Sequence, residues 1–591
     1  MRILGIHDGH GSSAALLEDG VLRKVVEEER FTRIKADSGF PKQAVDYLVD
    51  HYPGELKKLD YVAIASSNHD FSLFATKRYP RFDVKEFLTE EERYWIPTLL
   101  EGKELNYVEV MKDYVDFNLS HYPLKSIKDP NDANAIRRLR RDYVGEYLGM
   151  PKDKVIFVDH HTCHAHHAYF SSTLRGGVLV FTMDGSGDGT NATVHMVGED
   201  GRLKCLYRTK CCNLGRIYQY ITLLLGMKPA EHEYKVMGLA AYAKERHIEE
   251  PLKVFKQTYF VDGLEFRARI PIKNHYQYFK QRLEGYRFDA IAGALQRYLE
   301  DLLAEWIGNW LRHMGLRNVV FSGGVGLNIK ANKRVSEIPE VDDMFVCMAG
   351  GDESISIGAA QCLYAKQADP QGLRPILTPY LGPGFDHSDL RTALTHPMIK
   401  KQYETIGEVD FDDVAAILAE GKVVSILMGD MEFGPRALGN RSLLADPRNP
   451  QVIKVINATI KNRDFWMPFT PSILAERAAD YLVNPKGLLS PFMTMAFDST
   501  ELGRRDLAAA IHAGDMTVRP QIVTAEAAPL YWALIKAFER RTGVGGVLNT
   551  SLNIHGKPIV RTPMDLVNEV LSNQTVTLDY ILLEKTLLRR V

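Results

Sequence analysis

Two stretches far apart in the chain repeat one pattern of apolar and polar positions. Residues 3–29 read ILGIHDGHGSSAALLEDGVLRKVVEEE, and residues 178–208 read VLVFTMDGSGDGTNATVHMVGEDGRLKCLYR. Each opens on an apolar run ending in Asp-Gly and passes through a Gly/Ser/Thr-rich turn. Each then resumes with a second apolar run and reaches Glu-Asp-Gly ahead of a third. Apolar runs bounded by such turns predict strands, so the chain is expected to carry a duplicated three-stranded meander. Asp-Gly hairpins are common on their own, but the match runs in register over about 28 residues.

Between the repeats stands an apolar β-branched run, Val155-Ile156-Phe157-Val158, followed by a stretch with five histidines, DHHTCHAHH. The run predicts a strand, and Asp159 is placed to cap a helix starting directly after it. On that helix His160, His164 and His167 share a face. Imidazoles four apart on a helix make a pincer for a divalent metal. Spacing alone leaves His160/His164, His161/His164 and His164/His167 all open.

Further Gly-rich joints follow strands at VVFSGGVGLN (319–328) and CMAGGDESISIGAA (347–360), with Asp352 ahead of a small-residue helix. With Gly9–Ser13 and Gly185–Thr190 they make four places where a nucleotide could approach backbone closely. Exposed N–H groups in such turns cradle phosphates, and paired lobes of this kind are how actin-like phosphotransferases clasp a nucleotide. Residues 289–314 predict a long amphipathic helix. Residues 70–150 predict a mostly helical insertion on the first lobe, with Phe71, Phe74, Tyr79, Phe82, Phe87, Tyr94 and Trp95 chiefly for packing. Its basic run, Arg137 to Arg141, is expected to be a solvated helix face.

The linker KQADPQGLRPILTPYLGPGFD (366–386), with four prolines and three glycines, places a domain boundary near residue 370. The C-terminal part carries MGDMEFGPRALGNRSLLADPR (428–448), KNRDFWMPFTPSIL (461–474) and GVLNTSLNIHGKPIV (546–560). Its Arg436, Arg441, Arg448, Lys461, Arg463 and Arg519 suit phosphate or carboxylate, arginine in bidentate fashion.

Composition narrows the function classes. At 591 residues the chain exceeds one core. A net charge of −2 gives no global field for nucleic acid or an anionic membrane. Six cysteines without CxxC spacing fit a reducing compartment. The N-terminus breaks into Gly and His at once, unlike a secretory segment, and no apolar run reaches the roughly 20 residues that span a bilayer. A cytoplasmic protein is expected, with a symmetric homodimer as the default assembly.

The motifs EERFTRIKADSGFP (28–41), DHHTCHA (159–165), MDGSGDGT (183–190), EYKVMGLAAY (233–242), SGGVGLN (322–328), FGPRALGNRSLLADPR (433–448) and LNTSLNIHGKPIV (548–560) together resemble the O-carbamoyltransferases of nodulation-factor and antibiotic biosynthesis, such as the tobramycin and cephem enzymes. The resemblance covers nearly the whole chain. It implies an α/β protein of two domains. Residues 1–370 would form an actin-like (ASKHA, Kae1-like) domain of duplicated ribonuclease-H-like folds that transfers the carbamoyl group. Residues 371–591 would form an α+β, YrdC-like domain that makes carbamoyl-adenylate from carbamoyl phosphate and ATP. The acceptor would be a hydroxyl of a small molecule such as a sugar or antibiotic. A transferase forming threonylcarbamoyladenosine on tRNA, fused to its adenylate-forming partner, is the alternative; the near-neutral charge and lack of a basic stripe weigh against it.

By resemblance the metal ligands are His160, His164, Asp184 and Asp352, with Fe(II) favoured and Mn(II) or Zn(II) compatible with mixed N/O ligation; Mg would accompany ATP. Carbamoyl-adenylate contacts map onto His10, Lys35, Gly187 and Asn328. Contacts to carbamoyl phosphate and ATP map onto Arg436, Lys461, Arg519, Asn549 and Ser551. His10, Lys35, Arg436 and Lys461 are the expected catalytic set. Two positions depart from the family pattern: Gly11 stands where many members have Asp, and Met467 where many have Arg. The first weakens any carboxylate base in that loop, and the second removes a phosphate fork for which Arg463 or Arg519 would compensate.

Overall fold

The computed structural model describes residues 1–51, 59–68, 77–78, 84–116, 121–123, 127 and 132–591. They divide into two compact units. The first holds Met1–Arg23, Glu27–Thr32 and Ala36–Pro375; the second holds Ile376–Val591 together with Lys24–Val26 and Arg33–Lys35.

The two meanders build two sheets of one design. In the first, β1 (Arg2–His7), β2 (Ser13–Glu18), β3 (Val21–Glu27), β4 (Tyr61–Ala65) and β5 (Val155–Val158) stand in the order β3-β2-β1-β4-β5. β1 is antiparallel to β2 and parallel to β4, which is parallel to β5. In the second, β6 (Val178–Gly187), β7 (Thr190–Val197), β8 (Leu203–Thr209), β9 (Asn318–Ser322) and β10 (Asp343–Val346) stand in the order β8-β7-β6-β9-β10 with the same senses. The repeat therefore extends to two parallel strands beyond each meander. Turn chemistry explains the tight ends. Asp19 and Gly20 have φ of 47° and 80°, and Asp188 and Gly189 have 49° and 72°, the pair of positive values that a two-residue Asp-Gly hairpin needs.

Four helices matter for the site: α1 (Ala133–Leu148), α2 (His160–Ser171), α3 (Phe288–Met314) and α4 (Ile355–Gln367). Asp159 caps α2 as its position predicts, accepting from Thr162 N–H at 2.9 Å. α3 buries Leu295, Leu299, Leu303, Trp306 and Ile307 along one stripe and ends on left-handed Gly315. α4 lies against both α2 and β1, and only glycine permits that approach. A Cβ on Gly358 would stand 1.9 Å from the Cys163 carbonyl oxygen, and one on Gly5 would stand 1.9 Å from that of Ser356.

The helical insertion occupies the crossover between β4 and β5, where Val84–Glu90, Ile96–Leu100 and Tyr107–Met111 are helical ahead of α1. The matching crossover between β9 and β10 holds a short turn and the helix Ile329–Ser336. Tyr94 and Tyr107 meet edge to face, with Phe87 and Met111 beside them; Phe71, Phe74, Tyr79 and Phe82 lie outside the described residues. The basic run is not a solvated face throughout. Arg138 is exposed, but Arg140 is fully buried and forks onto buried Asp8 at 2.6 and 2.8 Å. The helical period turns one arginine of the run inward, and its charge is tolerated because the partner is bidentate.

The second unit is built on an eight-stranded mixed sheet: β11 (Tyr403–Glu408), β12 (Val424–Leu427), β13 (Arg441–Ala445), β14 (Thr470–Leu474), β15 (Gln521–Val523), β16 (Gly546–Ser551), β17 (Tyr580–Leu583) and β18 (Thr586–Arg590), in the order β11-β18-β17-β12-β13-β16-β14-β15. Leu427, Leu443, Leu548 and Ile581 from its central strands pack with Val567 and Leu571 in one core. All six cysteines are free thiols. No helix of the described residues is long and apolar enough to cross a membrane.

Candidate functional site

In the first unit α2, β6 and the turn before α4 bring together two imidazoles and two carboxylates. Ligand atoms of His160, His164, Asp184 and Asp352 all lie within 4.8 Å of one another and could hold a metal ion. Asp184 Oδ2 is 3.4 Å from His160 Nε2 and 3.2 Å from His164 Nε2; Asp352 Oδ1 is 3.5 Å from each. The far nitrogens are held by hydroxyls: His160 Nδ1 is 2.9 Å from Ser66 Oγ, and His164 Nδ1 is 3.2 Å from Ser322 Oγ. A hydroxyl accepting from Nδ1–H leaves the Nε2 lone pair for a cation. Asp352 Oδ1 is buried without a hydrogen-bond partner, an orphan acceptor of the kind a bound cation satisfies. The residues therefore fit a divalent metal.

The electrostatics agree. Burial pushes the His160 imidazole down, but the Asp352 and Asp184 carboxylates outweigh it and raise it to about 9. Burial would raise Asp184; hydrogen bonds from His160 and His164 prevail and hold it well below the usual carboxylate range. Negative charge is concentrated where Nε2 and carboxylate oxygens converge, which favours a cation.

The remaining histidines are core groups with both ring nitrogens occupied or turned away. His161 Nδ1 is 2.7 Å from Thr182 Oγ1, and its Nε2 is 3.1 Å from the Thr190 carbonyl. His167 lies between the Met348 carbonyl and Ser171 Oγ, at 2.8 and 2.9 Å. Burial lowers the His161 imidazole well below its ordinary value and His167 to about 4. His166 Nδ1 is 2.7 Å from the Thr162 carbonyl. Among the pairs that spacing leaves open, the geometry aims His160 and His164 at the carboxylates.

Glycines pack around this cluster. A Cβ on Gly187 would stand 2.1 Å from His160 Cγ, so the imidazole itself requires that glycine; Gly323, at φ 99°, is pressed against the Met183 carbonyl. Asn328 caps Ile329–Ser336 through Ala331 N–H and exchanges two hydrogen bonds of 2.9 Å with Gln296. His10 is half-buried in the first loop, its carbonyl 3.0 Å from His7 Nε2, and Gly11 there is left-handed at φ 73°.

In the second unit Lys461 is buried, its Nζ donating to Ser551 Oγ (3.0 Å), the Asn553 carbonyl (3.1 Å) and Asn553 Oδ1 (2.6 Å). Burial, then the nearby charges of Arg463 and Lys35, lowers its ammonium well below the ordinary lysine value. Asn549 Nδ2 donates to the Ala437 carbonyl and to Ser472 Oγ, both at 3.0 Å, tying β16 to the loop that carries half-buried Arg436. Arg519 is buried. Two expected anion forks are otherwise engaged. Arg441 is fully buried and donates to the carbonyls of Met428, Gly429, Asn440 and Arg561 at 2.7–2.9 Å. Arg448 grips Asp446 at 2.6 Å. These cations hold the loop rather than offer themselves to a ligand.

The sequence reading missed Ser66, Ser322, Asp188, Arg140 and Asn553. Asp188, Ser322 and Asn553 sit in the quoted motifs MDGSGDGT, SGGVGLN and LNTSLNIHGKPIV, and Arg140 in the quoted basic run; Ser66 carries no local pattern that betrays its partner.

Comparisons with known proteins follow the same division. The carbamoyltransferase N-terminus family model matches residues 2–361, and the carbamoyltransferase C-terminus model matches residues 415–590. Uncharacterized protein MJ1058 of Methanocaldococcus jannaschii is 30% identical over 95% of each chain. Nodulation protein NolNO of Sinorhizobium fredii is 29% identical, over 99% of this chain and 79% of its own. Among solved structures, full-length HypF in its phosphate- and nucleotide-bound form covers 61% of this chain and 54% of its own, at 12% identity and a TM-score of 0.34.

Proposed function

The chain belongs to the carbamoyltransferase family, and from that premise we propose that this transferase is an ATP-dependent O-carbamoyltransferase with a small-molecule hydroxyl as acceptor. The observation that carries the reading is the convergence of His160, His164, Asp184 and Asp352 on one point, each imidazole backed by a serine hydroxyl. The two sheets of identical order support an actin-like, duplicated ribonuclease-H-like fold for the first unit. The mixed eight-stranded sheet with its buried lysine is compatible with a YrdC-like fold for the second.

In this reading the second unit makes carbamoyl-adenylate. Lys461, Arg436, Arg519, Asn549 and Ser551 hold carbamoyl phosphate and ATP, whose Mg accompanies the phosphates. Desolvated cations there stabilise charge on the transferring groups, and exclusion of water protects carbamate, which breaks down quickly in solution. The first unit then transfers the carbamoyl group. His160, His164, Asp184 and Asp352 would hold a divalent ion, Fe(II), Mn(II) or Zn(II), supplying Lewis acidity toward a carbamoyl or phosphate oxygen. Gly187 and Asn328 contact the adenylate, and His10 takes the proton of the acceptor hydroxyl, while Lys35, in the second unit, joins the cations around Lys461.

The test is incubation with ATP and carbamoyl phosphate. Pyrophosphate release that depends on carbamoyl phosphate supports the reading. Dependence on threonine and bicarbonate would point instead to threonylcarbamoyl transfer to tRNA, and ADP formation to a simple kinase.

A further inference from the structure

Ser66, the residue after β4, has φ of 63°, a left-handed conformation that a serine adopts only under strain. Three groups over-determine it. Arg140 Nη1 donates to the Ser66 carbonyl at 3.0 Å, and Arg140 Nη2 reaches the Ala65 carbonyl at 3.3 Å. The same guanidinium is locked by Asp8, itself fully buried and also accepting from Tyr122 Oη at 2.6 Å. On the other side Asp188 accepts from the N–H groups of Ser67, Asn68 and His160 at 2.9, 2.5 and 2.8 Å. Asp188 thus ties the end of β4 directly to the first turn of α2. Arg137, one turn before Arg140, donates to the Ser67 carbonyl. The outcome of all these bonds is one placement: Ser66 Oγ at 2.9 Å from His160 Nδ1.

We propose that Arg140 and Asp188 are positioning residues that hold Ser66 in its left-handed conformation, so that its hydroxyl fixes the tautomer and ring of His160 and helix α1 thereby sets the affinity of the metal centre. The inference rests on the reading of His160, His164, Asp184 and Asp352 as metal ligands. It assigns a task to the helical crossover that its counterpart between β9 and β10 lacks. There Ser322 serves His164 from within the strand itself, and the positive φ falls on the following glycine, Gly323, which takes it without strain. A hydroxyl that accepts from Nδ1–H keeps the Nε2 lone pair directed at the cation, and loss of such an outer partner typically weakens metal binding about 10- to 100-fold.

The experiment is titration of the metal-stripped full chain with Mn(II) alone, followed by calorimetry, for wild type, Ser66→Gly, Arg140→Lys and His160→Ala. Glycine accepts the left-handed conformation without strain, so Ser66→Gly removes the hydroxyl while keeping the turn. It is expected to bind Mn(II) at least about 10-fold more weakly with an unchanged thermal midpoint before metal is added. Arg140→Lys keeps a charge for Asp8 but loses the fork to the two carbonyls, and should weaken Mn(II) in the same direction. If Ser66→Gly binds within about twofold of wild type while His160→Ala loses the ion, the positioning inference falls and the metal centre stands. If wild type and His160→Ala bind alike, the metal reading falls and this inference with it.

Discussion

Gly358 of α4 lies directly against the backbone of Cys163 in α2: a Cβ there would come within 1.9 Å of the Cys163 carbonyl oxygen. This approach sets the spacing of the helix that supplies His160 and His164 from the helix that follows Asp352. On a free helix surface Gly→Ala stabilises by about 1 kcal/mol. Here the sign is expected to reverse, because backbone rather than a flexible side-chain end occupies the space. Gly358→Ala should cost about 1–3 kcal/mol by overpacking and weaken metal binding in the same variant. Urea unfolding beside metal titration checks both; a more stable variant would show that the helices separate freely.

On the proposed reading the histidine stretch separates metal ligands from core groups. His164→Ala should lose the metal and carbamoyl transfer while retaining carbamoyl-dependent pyrophosphate release. His161→Ala should keep the metal but lose stability on the order of 2–4 kcal/mol, since the Thr182 hydroxyl and Thr190 carbonyl lose a buried partner and a cavity opens. Metal content and chemical denaturation of the two variants provide the comparison. Metal lost from His161→Ala and kept by His164→Ala contradicts the assignment.

Two arginines of one motif should fail in different ways. Arg436→Ala is expected to fold normally and to lose pyrophosphate release by roughly 30- to 1,000-fold, the effect of about 2–4 kcal/mol on a desolvated anionic transition state. Arg441→Ala orphans four carbonyl acceptors and should instead be recovered in low yield or unfold early. Soluble yield, thermal midpoint and pyrophosphate assay distinguish them, and normal turnover by Arg436→Ala would remove that residue from the site.

Acid should destabilise the first unit through His167. Burial lowers its folded-state value to about 4, against about 6.5 in an unfolded chain. A depressed value means that the unfolded chain takes up the proton first. The stability contributed by neutral His167 is therefore complete above about pH 6.5 and lost as the pH falls toward 4. His167→Gln should flatten that part of the wild-type profile. Denaturation midpoints measured at about pH 7.5 and pH 5 for both proteins give the answer; parallel profiles would mean that His167 does not titrate as its burial implies.

The sequence by itself determined what is periodic or local. It gave up the paired meanders, because side-chain alternation and Asp-Gly turns are written in neighbouring residues. It also gave up the Asp159 cap and the helix over 289–314, and the whole-chain motifs that mark the carbamoyltransferase family. Spacing narrowed the histidines to pairs around His164, and only the family resemblance pointed to His160 with His164. Tertiary structure decided the surroundings of each ring, because only the packing of α2 between β6 and α4 shows which ring nitrogens meet carboxylates and which meet Thr182, Thr190 or Met348. It also turned Arg140 from a solvated charge into a buried partner of Asp8, and made Arg441 a brace for backbone rather than an anion fork. A charged side chain's role depends on what lies across a gap that sequence separation does not encode: Asp8 is 132 residues from Arg140, and Ser66 is 94 from His160.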